Sequence, residues 1–139
     1  MPTARPSDAI RILLADDHRL YVEAMRASLS SDPRLEVVGV AFDGAEAVRL
    51  AAELSPDIVL MDVEMPVMDG IDATRLICER DATVRVLIVT SSESPQQAAR
   101  ARDAGAAGFI HKSRSAAELM DALADVSTLL VAFGPLPSR

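Results

Sequence analysis

The chain has 139 residues, which is the size of one ordinary domain and too short for two. Half of the residues are hydrophobic but only 3% are aromatic, so the core must consist of aliphatic side chains. The net charge of −7 disfavours nucleic-acid binding, because backbone phosphates would be repelled. The single cysteine, Cys78, excludes an internal disulfide and suits a reducing compartment. Since no segment has the pattern of a signal peptide or a membrane span, we expect a soluble cytoplasmic protein.

Five short runs rich in β-branched residues alternate with five helical patterns. The predicted strands are Ile10–Ala15, Glu36–Ala41, Asp57–Asp62, Arg85–Thr90 and Gly108–His111. The predicted helices are Leu20–Leu29, Ala45–Leu54, Ile71–Arg80, Pro95–Ala104 and Ala116–Val126. This alternation indicates right-handed βαβ units, and therefore an α/β fold with one parallel sheet covered by helices.

The fourth helix has the clearest local signals. Ser94 is a predicted N-cap, Pro95 suits the first helical position, and Gln97 suits the capping-box position. The helix itself is mostly Ala, Gln and Arg, so we expect it to bury little and to be the most mobile helix. We predict one domain over residues 9–127, followed by a tail or truncated linker over 128–139 that contains Gly and Pro.

Charged and hydroxyl side chains stand at the ends of four predicted strands. Asp16 and Asp17 follow the first strand, Asp62 ends the third, Thr90 ends the fourth and Lys112 follows the fifth. In an open parallel sheet, ligands bind at the carboxyl ends of the strands, near the point where the strand order reverses. If the first and third strands are neighbours, three carboxylates converge there.

Three converging carboxylates repel one another unless a cation is present. A hard divalent ion such as Mg²⁺ prefers oxygen ligands and retains waters that a phosphate can replace. Lys112 and the Thr90 hydroxyl would add a positive charge and a hydrogen-bond donor, which together suit a phosphoryl group in transfer. A carboxylate in that setting is a plausible nucleophile that would form an aspartyl phosphate.

Each of these features has an ordinary explanation when it stands alone. An Asp pair after a strand is usually a helix cap or turn, and a single lysine is usually a solvated surface charge. The functional interpretation depends on the conjunction of all of them at successive strand ends.

The combined motifs resemble the receiver domains of two-component response regulators. The resemblance runs from about Arg11 to Val126, and its matching segments are Leu14–His18, Leu60–Gly70, Val89–Ser91 and Gly105–Lys112. The stretch Asp32–Gly39 is similar to the NarL/FixJ (LuxR-type) subfamily. The family implies a flavodoxin-like (βα)5 three-layer sandwich with a five-stranded parallel sheet of order 2-1-3-4-5.

The resemblance also implies a role for each site residue. Asp62 would accept phosphate from a phosphohistidine of a sensor histidine kinase, in a phosphorelay that controls transcription. Asp17, Asp62 and the backbone carbonyl of Glu64 would bind Mg²⁺, with Asp16 acting directly or through water. Two further residues, Thr90 and Lys112, would hold the phosphoryl oxygens. Such a chain catalyses only its own phosphorylation and dephosphorylation and is otherwise not an enzyme.

Phosphorylation would shift Thr90, the switch residue Phe109 and the face of the fourth helix, fifth strand and fifth helix. The output would be a changed protein contact, including homodimerisation. Many relatives carry tyrosine at the position of Phe109, and many carry proline at the position of Ser113. Members of this subfamily usually continue into a helix-turn-helix domain, but no basic recognition helix is present here. The chain is therefore expected to be a stand-alone receiver or a fragment, with no contact of its own to nucleic acid or membrane.

Several flanking residues carry smaller expectations. Glu64 and Ser92 border the implied path of the hydrolytic water and are candidates for setting the phosphate lifetime. His18 and His111 flank the site, and since Mg²⁺ prefers oxygen we expect them at its margin or on the surface. Gly70 is expected to permit a tight loop before the third helix.

Three other functions are weighed against the receiver. A phosphatase of the haloacid-dehalogenase type needs an Asp-x-Asp motif after its first strand and a longer chain with a cap. A flavodoxin-like FMN binder needs a phosphate loop at the point where Asp16 and Asp17 would repel phosphate. A degenerate receiver that only mediates contacts would lack some of the five site residues, which are all present.

Overall fold

The computed structural model describes residues 9–91, 94–113, 119–121 and 123. The elements in these ranges are β1 (Ile10–Ala15), α1 (Arg19–Ser30), β2 (Leu35–Ala41), α2 (Gly44–Leu54), β3 (Ile58–Met61), α3 (Gly70–Arg80), β4 (Arg85–Thr90), α4 (Pro95–Ala104) and β5 (Gly108–His111). Of the predicted helix Ala116–Val126, residues 119–121 and 123 are described, and they are helical. Ser92 and the predicted tail 128–139 lie outside the described residues.

The five strands form one parallel sheet of order β2-β1-β3-β4-β5. The predicted fold class and strand order are confirmed. The order reverses between β1 and β3, because the chain adds β2 on one side of β1 and every later strand on the other. The carboxyl ends of β1 and β3 therefore meet at the edge of the sheet where such folds bind ligands.

Alternate residues along the central strands face two separate apolar cores. Leu13, Val59 and Val86 point to one face, where they pack with buried residues of α2, α3 and α4. Leu14 and Leu60 point to the other face, where they pack with α1 and with the described helical residues Leu119 and Leu123. This period of two, with both faces apolar, is the pattern of a parallel sheet between helical layers.

For the nine elements from β1 to β5, the predicted bounds agree with the structure to within one residue. The third strand is shorter than predicted, since it covers Ile58–Met61 and leaves Asp57 and Asp62 just outside its ends. The backbone N–H of Asp62 donates to the carbonyl of Ala15 at 2.9 Å, so the strand end is tied to β1 although it is no longer paired. Asp62 thereby leaves the sheet directly beside the end of β1.

The fourth helix shows the predicted start and the predicted sparse packing. Ser94 accepts a hydrogen bond from the Gln97 N–H at 3.2 Å, and Pro95 occupies the first turn. The side-chain oxygen Oε1 of Gln97 is buried without a hydrogen-bond partner, so it does not complete a capping box. The buried residues of α4 are Ala101 and Ala104, which are both small.

None of the helices within the described ranges is long and apolar enough to cross a membrane.

Candidate functional site

The register of the sheet brings the predicted site residues to one edge. Ala15 pairs with Met61, and Met61 pairs with Ile88, so the residues that follow these strands emerge side by side. At the end of β4, the Lys112 N–H donates to the Thr90 carbonyl at 2.7 Å. This places the ends of β1, β3, β4 and β5 around one acidic pocket.

The carboxylate of Asp16 is buried and contacts the ammonium group of Lys112 and a backbone N–H. Its Oδ2 lies 2.7 Å from the Lys112 Nζ, and its Oδ1 accepts a hydrogen bond from the His18 backbone N–H at 2.9 Å. The Nδ1 of the His18 ring lies 2.9 Å from the same Oδ1. Both oxygens of this carboxylate therefore have partners, although only 4% of the residue is exposed.

Asp62 is buried to the same degree but is much less well satisfied. Its Oδ2 has no hydrogen-bond partner, and only 3% of the residue is exposed. The Lys112 Nζ lies 3.5 Å from this oxygen, and the Nδ1 of His18 lies 3.7 Å from it. Burial, and then the negative charge of Asp16, raise the pKa of Asp62 to about 6, against the weaker opposing effects of Lys112, His18 and a backbone hydrogen bond from Val63. A buried carboxylate oxygen without a hydrogen-bond partner can serve as a ligand of a cation or as a nucleophile.

The side-chain ligand atoms of Asp16, Asp17, His18 and Asp62 all lie within 4.8 Å of one another. Donor atoms that share an octahedral ion at about 2.1 Å stand roughly 3 to 4 Å apart, so this cluster needs little movement to surround one. The predicted carboxylates are thus brought together, and the orphaned Oδ2 of Asp62 supplies an unused ligand atom. The donor set fits a hard divalent cation.

His18 was expected at the margin of the site or on the surface. The structure shows both properties, since 62% of its side chain is exposed while its Nδ1 stands inside the acidic cluster. His18 also occupies the N-cap position of α1, where it makes no side-chain capping bond. Its closeness to the carboxylates follows from the turn between β1 and α1, which folds the ring back over Asp16.

Tyr21 is a site residue that sequence reasoning missed. The Nζ of Lys112 lies 4.5 Å from the centroid of the Tyr21 ring, which is within the range of a cation–π contact. Burial, followed by the charges of Asp16 and Asp62, raises the pKa of Tyr21 to about 12, so the phenol stays neutral. The signal available was position: Tyr21 lies in the first turn of α1, which begins just after the Asp pair.

The structure also describes three further predicted residues, which are Thr90, Phe109 and Glu64. Thr90 is buried at the end of β4, while the half-buried Phe109 packs against the apolar core on the α2, α3 and α4 side of the sheet. Glu64 is exposed in the loop after β3. The metal ligand expected from Glu64 is its backbone carbonyl oxygen, which is not one of the side-chain atoms of this cluster.

Gly70 is required by a close approach rather than by an unusual backbone angle. A Cβ at this position would overlap the Asp62 carbonyl oxygen, and the Gly70 N–H donates to the Val63 carbonyl at 2.8 Å. The loop between them contains a strained residue, Val67, which has a φ of 71° and is 82% exposed. The loop therefore folds tightly over the end of β3 and holds the backbone of Asp62 against the start of α3.

Comparison with protein families gives one match across most of the chain. The response regulator receiver domain matches residues 12–124. The transcriptional regulatory protein LiaR of Bacillus subtilis is 43% identical over 114 residues, which cover 82% of this chain and 54% of LiaR. The chain thus spans about half the length of the curated relatives that it matches.

Solved structures give the same result. The receiver domain of the response regulator NarL from Mycobacterium tuberculosis superposes with a TM-score of 0.84 at 33% identity, covering 88% of this chain and 98% of that one. A LuxR-family response regulator from Aurantimonas superposes with a TM-score of 0.82 at 40% identity, covering 86% of each chain.

Proposed function

The chain belongs to the response regulator receiver family, and from this premise we propose that Asp62 is its phosphoacceptor. The resemblance to NarL/LuxR-type regulators is confirmed by its relatives and structural neighbours. Membership of this family decides against the dehalogenase-type phosphatase and the FMN-binding flavodoxin. The observation that carries the proposal is the Oδ2 of Asp62, which is buried, lacks a hydrogen bond and faces Lys112 at 3.5 Å.

In the proposed reaction, a carboxylate oxygen of Asp62 attacks the phosphorus of a phosphohistidine on a sensor histidine kinase. An O–P bond forms as the P–N bond breaks, and its electron pair returns to the imidazole of the donor. Lys112 leaves its 2.7 Å contact with Asp16 and balances the charge of the phosphoryl oxygens. The Thr90 hydroxyl donates a hydrogen bond to the same group. The domain then acts as a phosphoacceptor that catalyses its own phosphorylation and dephosphorylation.

Mg²⁺ is the cation we assign to the acidic cluster, where Asp16, Asp17, Asp62 and the Glu64 carbonyl would hold it. When bound, it would neutralise carboxylate repulsion and the charge of the transferring phosphoryl group. The support is the ligand set itself, with three carboxylates whose oxygens converge and one of which is orphaned. We propose that Glu64, whose side chain is exposed in the loop after β3, regulates the phosphate lifetime together with Ser92.

The output that we propose is a change of protein contact. Phosphorylation draws Thr90 toward Asp62, and Phe109 and the sparsely packed α4 adjust. Their outer face would then bind an output domain or a second copy of the chain. We propose that residues 9–127 constitute the receiver and that 128–139 lead to an output domain that controls transcription. We place the domain in the cytoplasm, where the free thiol of Cys78 would remain reduced.

The test is incubation of the purified chain with acetyl phosphate and Mg²⁺, followed by Phos-tag gel electrophoresis. We expect a shifted band that is lost at alkaline pH, as an acyl phosphate requires. Reduction with borohydride and mass spectrometry should locate the modification at Asp62. EDTA should abolish the shift.

Two variants complete the test. Asp62→Asn should give no shifted band. Asp69→Asn is the matched control, because Asp69 lies in the same loop and an asparagine there can still accept the N-cap hydrogen bond from Asp72. Equal labelling of wild type and Asp62→Asn would contradict the assignment. A wild-type chain that takes no phosphate and binds no Mg²⁺ would instead favour the degenerate receiver that only mediates contacts.

A further inference from the structure

His111 connects the two loops that flank the phosphoryl pocket. It is the last residue of β5, and its ring reaches across to the residue that follows β4. The Nε2 atom lies 2.9 Å from the Ser91 carbonyl oxygen. The Nδ1 atom lies 3.1 Å from the backbone N of Ser113 and 2.8 Å from its Oγ. The ring thus bridges Ser91 and Ser113, which are 22 positions apart in sequence.

These contacts define which ring nitrogen carries the proton. The Ser113 N–H can only donate, so Nδ1 must accept and carries no hydrogen. The Ser91 carbonyl can only accept, so Nε2 must carry the hydrogen. Both bonds are satisfied at once by a single form, the neutral Nε2–H imidazole. A protonated ring or the other tautomer would lose at least one of them.

Ser113 makes this arrangement available. Many receivers have proline after the lysine, and a proline has no N–H to donate to an imidazole. In this chain the serine supplies the backbone donor at 3.1 Å and a hydroxyl at 2.8 Å to the same nitrogen. The tautomer of His111 is therefore set by the residue that departs from the common pattern.

Each end of the bridge is covalently next to a residue of the proposed phosphoryl site. Ser91 directly follows Thr90, and Ser113 directly follows Lys112. The two strands are also joined by the hydrogen bond from the Lys112 N–H to the Thr90 carbonyl, at 2.7 Å. The His111 bond continues this connection one residue past the end of the ladder, into the loop after β4.

We propose that His111 is a positioning residue that clamps Ser91, after β4, to Ser113, after β5, and so holds the backbone of Thr90 and of Lys112 in place at the phosphoryl site. The inference rests on the proposed function, because it concerns the same phosphoryl site. Without this clamp, Ser91 and Ser113 can move independently of each other. Ordering them for phosphoryl transfer then has an entropic cost, which slows the reaction.

The test compares three variants in the rate of phosphorylation by acetyl phosphate and Mg²⁺. His111→Leu has a side chain of similar length but lacks both nitrogens. It should slow labelling by about 3- to 10-fold, which corresponds to the loss of roughly one hydrogen bond. His111→Gln restores an N–H that can reach the Ser91 carbonyl, and it should recover most of the rate. Ser113→Ala keeps the backbone donor and should remain within about twofold of wild type. Urea unfolding of each variant checks that the fold is intact.

A second measurement on the unmodified chain does not depend on any variant. Long-range ¹H–¹⁵N spectra of the imidazole should show His111 as the Nε2–H tautomer. The Nδ1–H tautomer would overturn the clamp, as would His111→Leu labelling at the wild-type rate or His111→Gln labelling as slowly as His111→Leu. A wild-type chain that takes no phosphate would instead refute the proposed function, so the two failures are distinguishable.

Discussion

Replacing the proposed phosphoacceptor should make the metal-free protein more stable. In the folded chain, the Oδ2 of Asp62 is buried without a hydrogen bond, and the pKa of the carboxyl is raised from 3.8 to about 6. At neutral pH the folded state therefore carries a buried charge that the unfolded chain holds in water at lower cost. Asp62→Asn removes that charge while keeping the shape of the side chain.

The expected gain follows from the difference between the folded and unfolded pKa. A difference of about 2 units corresponds to about 3 kcal/mol at most, at 1.36 kcal/mol per unit. Because the folded pKa of this acid is raised, its penalty is nearly absent below pH 4, grows between pH 4 and 6, and is complete above that. We expect Asp62→Asn to be more stable by about 2–3 kcal/mol at pH 7.5, and by less than about 1 kcal/mol at pH 4.

The measurement is urea unfolding in EDTA at both pH values. Asp103→Asn is the control for losing one negative charge from an acidic chain, and because Asp103 is exposed on α4 it should change stability by less than about 0.5 kcal/mol. Addition of Mg²⁺ should narrow the gap, since the wild type gains binding free energy that the variant lacks. An Asp62→Asn chain no more stable than wild type at pH 7.5, or a gain that does not depend on pH, would refute this reasoning.

Three further substitutions have defined outcomes. Gly70→Ala should cost about 2–3 kcal/mol in urea unfolding, because its Cβ would overlap a backbone carbonyl. Gly39→Ala should cost clearly less, because its Cβ would meet the flexible ends of two leucine side chains, at 2.8 and 3.4 Å, and equal costs would contradict the explanation. Val67→Asn should add about 0.5–1 kcal/mol to the thermal or urea stability by relieving the positive φ, whereas Val67→Ile should add nothing. Tyr21→Leu should slow acetyl phosphate labelling by about 2- to 5-fold through loss of the ring under Lys112, and Tyr21→Phe should not, so a slow Phe variant would implicate the hydroxyl instead.

The architecture could be predicted almost completely because its signals are local. The strands are apolar runs that alternate with helical patterns, and the bounds of the first four helices agree with the structure to within one residue. The third strand is shorter than predicted, since Asp57 and Asp62 flank the apolar run and lie just outside the paired residues. The proximity of Asp16 and Asp62 could also be predicted, because it follows from the strand order alone and does not depend on side-chain conformations.

Contacts between side chains could not be predicted in this way. Sequence position puts Lys112 near the carboxylates, but not 2.7 Å from Asp16 and 3.5 Å from Asp62. The ring of Tyr21 beside this lysine depends on how the first turn of α1 is rotated over the sheet. The inward Nδ1 of His18 depends on the path of the three-residue turn between β1 and α1. These are choices among rotamers and loop paths of similar energy, which packing decides.

The two buried aspartates differ in how well their charges are compensated, and this difference has a functional consequence. Asp16 takes the short lysine contact and the backbone N–H, so its charge is compensated in the resting domain. Asp62 has a backbone hydrogen bond from Val63, but its Oδ2 has none and lies 3.5 Å from Lys112 and 3.7 Å from His18, so its charge is less well compensated. A nucleophile that was fully hydrogen-bonded would have to lose those bonds before it could attack, which would add to the barrier. Asp62, whose buried charge destabilises the fold, is therefore also the residue that the proposed phosphorylation would modify, and Lys112, held nearby on Asp16, needs only a small displacement to follow the new charge.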